Sequence, residues 1–133
     1  MTIFEKIVAG EIPSYKVAET KNCLAFLDAI PLKEGHVLVI PKTPTDYIFD
    51  LNDQDYSELH LFAKKVAKAM QSVLLCNRIG LAVIGLEVPH AHIHLVPINA
   101  VGDIDFSQPK IEVEANRMSE IAASINKAFQ DLD

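Results

Sequence analysis

Three of the chain's five histidines fall two residues apart: His90, His92 and His94, in Val88-Pro89-His90-Ala91-His92-Ile93-His94-Leu95-Val96. Residues two apart on a β-strand share a face. This spacing therefore predicts three imidazoles side by side, with Ala91, Ile93 and Leu95 directed into the core behind them. Such a group can be a solvated, His-rich surface strand, a zinc site or a catalytic cluster. Histidine has no particular strand preference, which counts against the first. Zinc needs a third or fourth ligand and usually an ordering carboxylate. Nucleophilic catalysis needs one neutral imidazole with neighbours to tune it. An unperturbed pKa near ~6.5 leaves the ring mostly neutral at pH 7.

The elements that must hold these rings are legible from apolar pattern and turn chemistry. Ile3 to Val8 is short and amphipathic, stopped by Gly10 and Pro13, and predicts one or two helical turns. Tyr15 to Glu19 fits an edge strand. A turn at Thr20-Lys21-Asn22 leads into the apolar run Cys23-Leu24-Ala25-Phe26-Leu27, giving a hairpin that ends at Asp28. His36-Val37-Leu38-Val39-Ile40 is the clearest strand, ended by Pro41 and Pro44, and it begins on a fourth histidine. Thr45 to Phe49 reads as a short helical turn.

Asn52 has the features of an N-cap, with Asp53 and Asp55 in the first turn and Leu51 and Tyr56 placed to form a hydrophobic staple. Leu59, Phe62, Val66, Met70 and Val73 then recur at helical spacing, predicting an amphipathic helix from Asp53 to Leu74. His60 lies off its stripe and reads as a solvated helix residue. Gly80 to Ile84 is a further strand, and Ala91 to Val96 the histidine strand, ended by Pro97. Residues 98–113 form a long loop. Its Asp103, Asp105 and Ser107 alternate as at the start of a calcium loop, but Gln108 and Pro109 stand where that loop needs glycine. Ile104 and Phe106 are expected to anchor the loop to the core. Met118, Ile121, Ala122, Ile125 and Phe129 mark a C-terminal helix from Ala115 to Phe129. Short links between strands predict an α+β fold: a mostly antiparallel five-stranded sheet with one long helix and a C-terminal helix packed on it.

At 133 residues the chain reads as one domain, and half its residues are hydrophobic, enough for a core. A net charge of −6 with scattered Lys and Arg argues against binding a nucleic-acid backbone, though not against a single nucleotide. Cys23 and Cys76 make no disulfide framework and no Cys-rich zinc site; Cys23 reads as a small buried hydrophobe. No run approaches a membrane-spanning length, and the N-terminus has no long apolar core of a signal peptide, so the expected compartment is a reducing cytoplasm.

His90-Ala91-His92-Ile93-His94-Leu95-Val96 resembles the motif of the histidine triad (HIT) family, His-φ-His-φ-His-φ-φ with φ apolar, and is closest to its Hint-like, nucleotide-binding branch. Three upstream segments resemble the same family in the same order: Ile3-Phe4-Glu5-Lys6-Ile7, Cys23-Leu24-Ala25-Phe26-Leu27-Asp28 and Gly35-His36-Val37-Leu38-Val39-Ile40-Pro41. The resemblance covers residues 3–97 and leaves the loop and helix of residues 98–133 outside it.

The resemblance implies a hydrolase or transferase acting on the α-phosphate of adenylylated substrates, either nucleoside phosphoramidates or dinucleoside polyphosphates. It implies that His92 is the nucleophile and carries a covalent nucleotidyl group, that His90 and His94 flank it, and that His36 completes the cluster. It implies that Asp28 holds the ribose and that Ile3, Phe4, Ile7, Phe26 and Leu27 form the slot for a purine base. It implies AMP as product, no metal or other cofactor, and a homodimer, for which the apolar run Gly80 to Ile84 is a candidate pairing edge.

The chain departs from the family before the triad. Gly85-Leu86-Glu87-Val88-Pro89-His90 replaces the common Gly-Gln-x-Val-x-His, so an amide is missing and an acid occupies a position where relatives often carry a hydroxyl. Glu87 and Val88 thereby mark the leaving-group region. The alternative from another class is a non-catalytic nucleotide-binding or scaffold protein that keeps the fold, followed by a zinc-bound regulator.

Overall fold

Two central strands of this protein are apolar on both sides, and alternation sorts their residues between two different surroundings. In the computed structural model, which describes residues 1–132, β2 (Cys23–Leu27) and β3 (Val37–Pro41) are buried at all five positions each. Cys23, Ala25, Leu27, Val37 and Val39 join the main core, while Leu24, Phe26, Leu38 and Ile40 join a smaller apolar cluster on the opposite face. With β1 (Lys16–Glu19), β4 (Arg78–Ala82) and β5 (Ile93–Ile98) they form one antiparallel sheet in the order β1-β2-β3-β5-β4. The fold is α+β, a five-stranded antiparallel sheet with helices, as the sequence predicts.

The main core lies under two helices. α2 (Asp53–Val73) starts at Asn52, whose side-chain oxygen accepts the Asp55 N–H at 2.8 Å, and buries Leu59, Phe62, Ala63, Val66, Ala69 and Met70. α3 (Ala115–Asp131) buries Met118, Ile121, Ala122, Ile125 and Phe129 in the same core. The Asn126 side-chain amide donates to the Val17 carbonyl at 2.8 Å and ties α3 to the edge strand β1.

The opposite face is covered only in part. α1 (Ile3–Val8), closed by a capping box between Thr2 and Glu5, lays Phe4 across it; the Phe4 ring meets Phe26 edge-on at 5.7 Å. At the other end the chain after β5 folds back over the sheet. It contains a 3₁₀ turn, Val101–Ile104, and Ile104 covers the flat strip at Gly80, where a Cβ would lie 3.0 Å from the Ile104 side chain. The histidines fill the space between these two covers.

Several expected boundaries move. β5 begins at Ile93, not Ala91, because the chain before it turns: the His90 N–H donates to the Val88 carbonyl at 2.8 Å and the Ala91 N–H to Thr45 O. Pro97 lies inside β5, opposite Ile79, and does not end it. β4 spans Arg78–Ala82, two residues earlier than expected, and is an edge of the sheet. The helical turn expected at Thr45 to Phe49 is a 3₁₀ turn at Ile48–Asp50. His60 is half-buried, with its ring on Tyr56 at 4.2 Å, so it is not a freely solvated residue. Asp103 and Asp105 act as local caps: Asp103 accepts the Asn99 and Ala100 N–H groups, and Asp105 accepts the Ser107 N–H and hydroxyl. Among the described residues no helix is long and apolar enough to cross a membrane.

Candidate active site

The site is built where β5 and β3 run side by side. Leu38 pairs with His94 and Phe26 with Leu38, so these three side chains share the face that α1 partly covers. His36 stands two residues before Leu38 and projects to the same side. Its Nε2 lies 3.0 Å from His94 Nδ1. The His92 and His94 ring centroids are 5.0 Å apart, and Phe4 meets both His92 at 5.1 Å and His90 at 5.8 Å. All four histidines are buried. The structure therefore gathers His36, His90, His92 and His94, although His90 and His92 precede the strand.

Backbone groups assign the protons. The Leu32 N–H donates to His36 Nδ1 at 3.0 Å, so in the neutral ring the proton is on Nε2. That Nε2–H donates to His94 Nδ1, which leaves His94 with its proton on Nε2. On the other arm, the His92 Nδ1–H donates to the His90 carbonyl at 2.7 Å, leaving a lone pair on His92 Nε2. The His90 Nε2–H donates to the Pro41 carbonyl at 2.7 Å. His90 Nδ1 is the one buried side-chain polar atom among the described residues without a partner. Among the described residues His92 Nε2 and His94 Nε2 have no hydrogen-bond partner, and neither is sealed from solvent. One lone pair and one donor thus stand on neighbouring rings whose centroids are 5.0 Å apart.

Burial sets the charge of the cluster. It pushes His36 down to about 4, helped by the positive charge of Lys110. It pushes His94 down to about 3, helped by His36, His92 and Lys110. His90 is also lowered by burial, against the opposing bond to Pro41. The His36–His94 pair is consequently neutral at pH 7.

Asp28, just past β2, is half-buried. Its Oδ1 accepts the Ile30 N–H at 3.0 Å, and Oδ2 lies 3.6 Å from His36 Nε2. Burial raises its carboxyl above the usual range, opposed by the Ile30 N–H and by His92, while Glu87 adds to the rise. Glu87 is exposed, and Val88 is half-buried against the Phe4 cluster.

Of the expected base slot, Phe4, Phe26 and Ile7 lie together on this face, and Ile3 is half exposed on the same short helix. Leu27 is a correction. It is buried in the core beneath α2 and α3, because adjacent strand residues point to opposite faces and Phe26 takes the site side. Phe106 is a second correction. Its ring packs on His94 at 4.5 Å and on His36 at 6.2 Å, so it covers the histidines where a core anchor was expected. Its apolar character marked it as an anchor, but nothing in the sequence marked the histidines as its partners, because contact between an irregular loop and a strand has no periodicity.

Asp28, His36 and His94 bring three ligand atoms within 4.8 Å of one another. The donor chemistry does not fit a metal. A neutral imidazole bound through Nε2 must carry its proton on Nδ1, but His36 Nδ1 accepts the Leu32 N–H. Binding would require breaking that buried bond or forming an imidazolate.

The HIT domain family model matches residues 9–101. Adenosine 5'-monophosphoramidase HNT1 of Saccharomyces cerevisiae is 42% identical over 99 residues, which cover 71% of this chain and 61% of the yeast protein. Adenosine 5'-monophosphoramidase hnt1 of Schizosaccharomyces pombe is 40% identical over 99 residues, covering 71% of this chain and 72% of that one. Among solved structures, a Hit-like protein from Bartonella henselae superposes with a TM-score of 0.84 at 29% identity, covering 96% of this chain and 95% of that one.

Proposed function

Because this chain belongs to the HIT family, we propose that it is a nucleotide hydrolase of the phosphoramidase type, acting on the α-phosphate of adenylylated substrates through His92. The observation that carries this reading is the proton assignment. His92 Nδ1–H is committed to the His90 carbonyl, so Nε2 keeps a lone pair, on a ring whose centroid lies 5.0 Å from that of His94 with its Nε2 donor. A nucleophile and a donor fixed in advance are what phosphoryl transfer chiefly requires of a protein. The names of the two yeast relatives support a phosphoramidate as substrate.

In the first step His92 Nε2 attacks the α-phosphorus. The bond from phosphorus to the leaving nitrogen breaks, its electron pair stays on that nitrogen, and the amine leaves with a proton from solvent. The His94 Nε2–H stabilises charge on a phosphoryl oxygen. In the second step water attacks phosphorus, the bond to His92 breaks, and the ring recovers its lone pair as AMP leaves with the water oxygen. Overall, one water supplies a hydrogen to the amine and a hydroxyl to the phosphate. Asp28 retains acceptor capacity for the ribose hydroxyls, and Phe4, Phe26, Ile7 and Ile3 supply apolar surface for a purine.

On this reading residues 1–133 act as one HIT-like domain, with α3 part of its core. Two copies pair through the β4 edge, where Leu81, and Ile84 just beyond the strand, are about half exposed. The test is AMP release from adenosine 5'-monophosphoramidate and from a dinucleoside polyphosphate, with sedimentation of the same preparation. Turnover of the phosphoramidate by a dimer supports the reading. Nucleotide binding without release of AMP from either compound rejects it in favour of a binding protein.

A further inference from the structure

Most of the loop after the triad, residues 102–113, lies beyond the residues that match the family model, yet Phe106 within it packs on one side of the site. It is fixed at three points. Ile104 sits over Gly80, the Ile111 N–H donates to the Pro31 carbonyl at 2.9 Å, and Asp103 pairs with Lys33 at 3.2 Å. The second and third points lie on the segment that also holds Leu32, whose N–H sets the His36 tautomer. Between them, the Lys110 ammonium donates to the Phe106 and Gln108 carbonyls at 2.8 and 3.3 Å. This bond draws the loop into a tight turn and holds the Phe106 ring against His94, with the planes inclined at 64°.

We propose that Phe106 is a positioning residue: its ring covers the His36–His94 hydrogen bond, keeps water from it, and so holds His94 with its proton on Nε2. Half-buried itself, Phe106 has one side against both imidazoles and the other toward solvent. Water reaching the pair would compete for His94 Nδ1 and for His36 Nε2–H, and either competition frees His94 to take the other tautomer or a proton. The ring leaves His92 Nε2 untouched, since Phe4 and not Phe106 lies against His92. Phe106 thus governs the donor and not the nucleophile. That the donor then serves a phosphoryl group rests on the hydrolase reading above; the shielding of the pair does not.

The charged and titratable groups around the pair are Asp28 from the end of β2, His92 from the segment before β5, and Lys110 from the same loop. Glu87 acts on Asp28 from the segment before the triad. Removing Phe106 changes none of these charges, so a shift in the pair's titration reports water access, provided Lys110 stays in place. Lys110→Met serves as the control for that charge.

The experiment is histidine titration by NMR in the whole protein, with Phe106→Ala, Phe106→Leu and Lys110→Met compared with the unaltered chain. Expected is a rise of about one unit or more in the His94 midpoint in Phe106→Ala. Little change is expected in Phe106→Leu, which still excludes water, and a smaller rise in Lys110→Met. With the phosphoramidate, kcat of Phe106→Ala falls about ten-fold while KM stays within about two-fold. Unchanged midpoints in a folded Phe106→Ala overturn the proposal, whatever the activity. Failure of Phe106→Ala to fold also overturns it, assigning the ring a purely structural role. Shifted midpoints in a protein that turns over no substrate would leave the shielding intact and reject the hydrolase reading alone.

Discussion

The two faces of one sheet are made from the same strands and treat polarity in opposite ways. Beneath α2 and α3 the face is apolar throughout, built from Cys23, Ala25, Leu27, Val37, Val39, Ile93 and Leu95. On the other face Leu24, Phe26, Leu38 and Ile40 give way to four buried histidines. The first face needs only volume and hydrophobicity. The second buries polar rings, which is tolerable because every ring nitrogen sealed from solvent has a partner except His90 Nδ1. Backbone groups supply most of these partners: Leu32 N–H, Pro41 O and His90 O. The helix-covered face therefore governs whether the protein folds, and the histidine face governs which nitrogen is free to react.

The sharpest way to break this division is His92→Ala. We expect AMP release to fall by about a thousand-fold or more, with nucleotide binding and Tm nearly unchanged. Residual turnover above about a hundredth of the original rate would place the nucleophile elsewhere. The reverse substitution is Leu59→Ala, at a fully buried α2 position on the other face. It should cost about 2–5 kcal/mol in urea unfolding while kcat per folded molecule holds. A large loss of kcat at full folding would show that the faces are not separable.

Asp28 sits at the border between them. Asp28→Ala should weaken adenosine and guanosine nucleotides alike by about ten- to a hundred-fold, the value of a charge-assisted hydrogen bond. Equal binding of a 2′,3′-dideoxynucleotide and its parent would remove Asp28 from the ribose.

Acid should expose the histidine face selectively. His36 and His94 titrate near 4 and 3 when folded, mainly through burial, against ~6.5 unfolded. Between those values the unfolded chain binds more protons, so stability contributed by these groups is intact above about 6.5 and declines as pH falls toward 4 and then 3. Thermal melts from pH 7 to pH 4 should show this decline, and His94→Asn should flatten it. The smallest effect is expected at Glu87, exposed on the segment before the triad but close enough to raise the Asp28 carboxyl. A carboxylate there favours an amine over an anionic polyphosphate as leaving group. Glu87→Ser should move the kcat/KM ratio a few-fold toward dinucleoside polyphosphates; an unmoved ratio would show that Glu87 is not the selector.

Period-two and helical patterns alone determined a good deal here. Together with apolar runs bounded by turn residues, they located all five strands and both long helices, the Asn52 cap, and the direction of Ala91, Ile93 and Leu95 into the core, because such runs, alternation and capping are properties of neighbouring residues. The same alternation held a signal against grouping Leu27 with Phe26. Consecutive strand residues cannot share a face, and that local rule should outweigh their common apolar character.

Only the tertiary structure decided the rest. The tautomers of His36, His92 and His94 depend on backbone groups brought to them by turns and by the neighbouring strand, and a ring's proton position is not encoded in its own residue type. The turn at Val88–His90 and the fold-back of residues 98–113, which sets Phe106 over His94, are contacts between irregular segments. Such segments leave no periodic trace in the chain. They acquire definite positions only when the β3–β5 pairing and Ile104 at Gly80 fix where the chain must return.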